Sequence, residues 1–191
     1  MKCCSIRSLA VALCAISALT VPVARAAAGS KGPFVVQAHF VDAGGQPFKP
    51  VCDPTDPSLC TFQVDGSARF TGGLTGVTKY HAVGTLDPSH HGMDYELHET
   101  LTGVVAACGT GTVTWIVRGA LNDESMKTYD PATGTVAMHN TVTIVDGSGT
   151  AELVGLTGSF LSDGRLNPLT FENHGDFHGS VTCGRRSRKR R

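Results

Sequence analysis

The 191-residue chain carries 16 Lys+Arg and 16 Asp+Glu, a formal charge of zero at pH 7 with histidine neutral, and 41% of its residues are hydrophobic while only 6% are aromatic. The length suits one domain with its own core, and no second domain is expected. The zero balance hides an asymmetry, because residues 27–184 hold 7 Lys+Arg against 16 Asp+Glu, a net −9, whereas residues 185–191 (RRSRKRR) add +6.

Residues 1–8 contain Lys2 and Arg7 and no acid, and residues 9–23 (LAVALCAISALTVPV) form an apolar run that ends before Ala24-Arg25-Ala26. A basic start, an apolar stretch and an A-x-A pattern predict a secretory signal peptide over residues 1–26, cleaved near Ala26. The run is short of the roughly 20 residues needed to span a bilayer, and no other stretch is apolar enough. Cys14 follows Leu13 inside the run, which does not fit a lipoprotein signal. The expected location is secreted, with a domain over residues 27–184.

Cys3, Cys4 and Cys14 fall within that signal, leaving Cys52, Cys60, Cys108 and Cys183. An even number in an exported chain predicts disulfides, for which three pairings are possible. The simplest joins Cys52 to Cys60 across the loop DPTDPSL and leaves Cys108 for Cys183. Free buried thiols are the competing expectation.

Along the remaining chain no stretch repeats apolar residues at helical spacing, and Gly, Thr and Val are frequent, which favours strands joined by turns. The predicted strands are residues 34–41, 61–71, 77–86, 93–105, 112–121, 135–145, 150–154, 166–171 and 177–183. Turn signals separate them, among them Asp42-Ala43-Gly44-Gly45, Asn122-Asp123-Glu124 and Ser162-Asp163-Gly164. Leu-Thr-Gly recurs at Leu74, Leu101 and Leu156, reading as a strand-end device. Eight or nine strands at this spacing predict an all-β fold, a single eight-stranded antiparallel barrel, with a β-sandwich as the alternative.

Candidate chemistry follows the same order. On residues 93–99, Asp94, Glu96 and His98 share one strand face and Tyr95, Leu97 and Glu99 the other. Leucine inward and acids outward is one orientation; in the reverse one, Glu96 and His98 would point into a cavity and serve as acid or base. His81 and His139 are lone candidates on other strands. Trp115, the only tryptophan, either fills the core or lines a ligand cavity. In residues 172–178, alternation aligns Glu172, His174, Asp176 and His178; His174, Asp176 and His178 could ligate a transition metal, face water, or line a polar cavity. No G-x-S-x-G elbow occurs, and the Gly-rich stretches lack the Lys of a phosphate loop. No cofactor is expected. The tail residues Arg185, Arg186, Arg188, Lys189, Arg190 and Arg191 form a solvated basic block able to hold an anionic surface polymer.

The segments VTIVDGSGTAELVGLTGSF (142–160), FTGGLTGVTKYHAVGTL (70–86) and ETLTGV (99–104) resemble secreted, uncharacterised small bacterial members of the allene oxide cyclase barrel-like superfamily. The resemblance covers residues 34–183. It implies an eight-stranded antiparallel barrel with an apolar or mixed cavity, and relatives that fold a flexible apolar substrate to one product. No catalytic motif of those relatives can be matched residue by residue. Three functions follow as expectations: a secreted barrel binding a small apolar ligand, a cyclase or isomerase of allene oxide cyclase type, and a surface-associated structural protein tethered by the basic tail.

Overall fold

A computed structural model describes residues 32–45, 49–56, 59–87 and 92–184. The expected signal peptide and the basic tail both lie outside the described residues. Nine strands run in chain order: β1 (Phe34–Gly45), β2 (Val51–Cys52), β3 (Cys60–Gly72), β4 (Leu74–Asp87), β5 (Gly92–Val105), β6 (Gly109–Leu121), β7 (Val136–Ile144), β8 (Thr157–Leu166) and β9 (Asn173–Thr182). One helical turn, α1 (Asp123–Met126), interrupts them.

Every strand from β3 to β9 pairs antiparallel with the next; β9 then pairs with β1, and β1 with β3. That last pairing closes eight strands into a barrel and removes the two edges an open sandwich would keep. The ninth strand, β2, adds two residues to the rim of β3. Alternation explains which side chains meet inside. On β5, Met93, Tyr95, Leu97, Glu99 and Leu101 are buried while Asp94 and His98 face solvent, and β7 buries Val136, Met138, Asn140, Val142 and Ile144.

The interior is filled. At mid-barrel, Phe70 lies with its ring centroid 5.0 Å from that of Phe177 and 5.7 Å from that of Trp115. Phe40 and Phe160 extend this cluster. One end is packed by Leu74, Val105, Val113, Leu153, Leu156 and Val181 and stapled by the Cys108–Cys183 disulfide. The other end is occupied by Phe62, Tyr95 and Phe171, with Phe171 5.6 Å from Phe62 and 5.7 Å from Tyr95.

Three expectations are corrected. Residues 150–154 form a 3-10 turn (Ala151–Leu153) rather than a strand. The turn lies against β6: the Thr150 amide donates to the Thr112 carbonyl, and the Glu152 carboxylate accepts the Thr110 amide at 2.9 Å. Of residues 166–171, only Leu166 is in a strand, the end of Thr157–Leu166, and residues 167–171 form a turn. Ser162-Asp163-Gly164 mimics a turn in sequence, but Gly164 sits inside β8 opposite Gly175 of β9, where a Cβ on either would meet the other's Cα within 3 Å. Glycine there permits close strand approach and does not end the strand. Asn122-Asp123-Glu124 does separate β6 from β7, and it opens α1, with the Asn122 side chain accepting the Glu124 and Ser125 amides.

Both disulfides take the simplest pairing, Cys52–Cys60 and Cys108–Cys183. They close loops of very different length, 8 and 75 residues in sequence separation. Loop-closure entropy then gives about 4 kcal/mol for the Cys108–Cys183 bridge and about 2 kcal/mol for the Cys52–Cys60 bridge. Urea unfolding of the two double-serine variants should show that order, with Cys108→Ser/Cys183→Ser the less stable.

Candidate functional site

Glu99 stands out because alternation puts it on the same inward face as Tyr95 and Leu97. It is 4% exposed. A carboxyl taken out of water favours its neutral form, and burial raises the Glu99 pKa to about 7. Two hydrogen bonds oppose that rise. The Thr78 hydroxyl and the Trp115 indole both bond to the carboxyl, the Trp115 Nε1–H donating to Oε2 at 2.6 Å. The negative charge of Asp42 pushes the value up further.

Beside the carboxyl lies a cavity of about 20 Å³. That is room for about one water molecule. Its walls come from most of the barrel: Phe40 of β1, Ala68 and Phe70 of β3, Tyr80 of β4, Glu99 of β5, Asn140 of β7, Ser162 of β8 and Asn173 of β9. The polar members are held by their own partners. Tyr80 donates its hydroxyl to Asp42 Oδ2 at 2.6 Å, and Asn173 Nδ2 donates to the same oxygen at 3.2 Å. Burial, then the Asp42 bond, holds the Tyr80 phenol well above its ordinary range. Gly66 makes room for this ring, since a Cβ there would fall 2.2 Å from the Tyr80 hydroxyl oxygen. Asn140 Oδ1 accepts the Tyr95 hydroxyl at 2.8 Å. Ser162 differs: it is 1% exposed and its hydroxyl has no protein partner. A buried hydroxyl left unpaired costs roughly 1–3 kcal/mol, so an occupant that bonds to it gains that amount.

The Asn167–Asn173 turn closes the barrel end above this region. The Asn167 amide donates to the Glu172 carbonyl, the Phe171 amide to the Asn167 carbonyl, and the Leu169 amide to the Asn167 side chain. Phe171 adopts φ +63°. For a bulky aromatic residue that conformation is strained by roughly 1–3 kcal/mol, offset here by burial against Phe62 and Tyr95. Asn173 ties the turn to the cavity by also donating to the Phe171 carbonyl.

Of the two orientations open for residues 93–99, the structure adopts leucine inward. Glu96 and His98 lie on the outer wall, where Glu96 Oε1 meets His98 Nε2 and Oε2 accepts Arg118 Nε, both at 2.8 Å. The His98 bond, seconded by Arg118, holds the Glu96 carboxyl below its usual range. A shallow open depression of about 410 Å³ passes over Glu96 and Arg118. Trp115 is wholly buried, part of the mid-barrel packing rather than the wall of a hollow. His174, Asp176 and His178 alternate on the outer face of β9. Asp176 accepts from His39 at 3.1 Å, and the outward His139 and His81 meet Asp163 and Asp65. Among the described residues no group of three or more His, Cys, Asp or Glu is arranged to hold a metal ion.

Glu99 is not among the residues the sequence singles out as candidates. Its signal was present as a carboxylate in phase with Tyr95, Leu97 and Leu101, on the face that alternation assigns to the core. Ser162, hidden in an apparent turn, had none.

Between its ordinary value of 4.5 and about 7, Glu99 holds a proton in the folded chain that the unfolded chain releases. Stability contributed by this group therefore falls as pH rises through that window, by at most about 3 kcal/mol. Denaturant unfolding from pH 4.5 to 8 should show the fall in the wild type relative to Glu99→Gln, whose curve lacks it; parallel curves would exclude the linkage.

No protein-family model matches the chain, and no curated protein sequence matches it. Among solved structures, it is similar to the crystal structure of a protein of unknown function from the DUF3224 family of Shewanella oneidensis MR-1, with a TM-score of 0.56 and 15% sequence identity over 81% of this chain and 99% of that one. At that identity the likeness establishes the eight-stranded barrel fold and nothing beyond it.

Proposed function

We propose that the protein is an exported β-barrel that binds a small molecule, taking one hydrogen-bonding group of it into the cavity beside Glu99. The observation that carries this reading is the conjunction of a buried carboxyl and an unpartnered Ser162 hydroxyl around one space in an otherwise filled barrel. Binding pockets combine apolar walls with a few convergent polar groups, and this cavity has that composition on a small scale. Export is supported by the signal-like residues 1–26 and by two disulfides, which persist in oxidising compartments.

An apolar ligand swallowed whole, or a substrate folded as the allene oxide cyclase resemblance implies, needs a hollow that the Phe40, Phe70 and Phe177 rings already occupy. The ligand body therefore lies towards the Phe171 end. That end is covered by a single self-bonded turn, and displacing Phe171 releases backbone strain as it loses packing.

Native mass spectrometry of protein purified from its host should show a low-mass adduct on the wild type that Ser162→Leu, which fills the cavity, does not carry. Wild-type protein that is empty in repeated preparations would overturn the reading.

A further inference from the structure

We infer that the group received by the Glu99 cavity is an ammonium head, either free ammonium or the –NH₃⁺ of a small primary amine. This inference rests on the cavity-binding reading above and deepens it.

Charge carries the inference first. Glu99 faces the cavity without a cation: among the described residues, neither the cavity walls nor the groups acting on its carboxyl include Lys, Arg or His. The titratable groups facing it are Asp42, at the end of β1, and Tyr80 of β4; β3, β6, β7, β8 and β9 present only uncharged side chains. One of those neighbours adds negative charge and the other is a neutral phenol. An isolated carboxylate in such surroundings must either keep a proton or acquire a positive partner. A neutral water molecule brings no positive charge.

Shape and hydrogen-bonding capacity narrow the partner. The space is water-sized, which suits an ammonium group, and acceptors for its N–H groups border it: the carboxylate of Glu99 and the lone pairs of the Ser162 hydroxyl. The rings of Phe40, Phe70, Phe177 and Tyr80 border the same space. Aromatic faces attract cations in desolvated sites. An anion would meet two acids, and a neutral alcohol would leave the charge of Glu99 uncompensated. Potassium has a similar radius but donates no hydrogen bonds.

Isothermal titration of the purified protein with ammonium chloride and with methylammonium chloride tests the inference, with potassium chloride, ethanol and sodium acetate as comparison probes at matched ionic strength. Saturable one-site binding of ammonium or methylammonium at pH 8 is expected, with affinity falling roughly tenfold per pH unit below about 7, where a proton must be displaced from Glu99. Glu99→Gln should lose that binding while unfolding as one cooperative transition. Equal binding of potassium, binding without pH dependence, or undiminished binding by Glu99→Gln would overturn the ammonium assignment. Saturable binding of ethanol or acetate alone overturns it too, yet leaves the cavity-binding reading standing. If no probe binds and native mass spectrometry finds no adduct, both fall together.

Discussion

Closure by the β1–β3 pairing is the constraint from which the rest of the molecule follows. Once eight strands form a ring, each inward position has a fixed share of a fixed volume, and the strand period decides which residue receives it. Large rings take up most of the space at mid-barrel, so residues beside them must be small or must share. Ala68 and Ser162 are small, and together with the polar ends of Glu99 and Asn140 they border a water-sized gap at that level. The cavity is a product of this arithmetic of sizes, with polar atoms gathered on its walls.

Glu99 is tolerated there because its neighbours divide the cost of its burial. The indole and the threonine hydroxyl give the carboxyl its hydrogen bonds, yet neither brings charge, so the group sits near the boundary between neutral and ionised. A lysine or arginine in the barrel would have fixed the carboxylate permanently. The outer wall takes that other course. There Glu96 is bracketed by His98 and Arg118 on the partly solvated outer wall, where such pairs contribute little to stability. The same side chain type is thus a solvated partner on one face of β5 and a poised interior group on the other, three residues away.

The legibility of this fold in its sequence was uneven for physical reasons. Strands such as β5 and β7 declare themselves because a polar outer face alternates with an apolar inner one. β8 does not, because its Ser162-Asp163-Gly164 is written in turn residues: the aspartate faces water, the glycine makes room for the opposing strand, and the serine occupies a cavity wall. The residues after it, by contrast, look strand-like only through Leu166, Leu169 and Phe171, of which Leu169 is exposed and Phe171 is a plug reached through a left-handed backbone. Cysteine pairing was readable since one short loop and one long one exhaust the simplest choice. In residues 93–99 the sequence pattern carries both kinds of acid, Glu96 with His98 on the outer face and Glu99 on the inner one, and the pattern alone does not say which face is buried.

Trp115 gives the barrel a property beyond packing. It is the sole tryptophan of the chain, and its ring nitrogen donates a hydrogen bond to Glu99, the only fully buried carboxyl among the described residues. Tryptophan emission from this protein therefore comes from one indole in one environment, and the field at that indole changes whenever Glu99 gains or loses charge. The molecule carries a built-in optical gauge of its own interior, readable without any label.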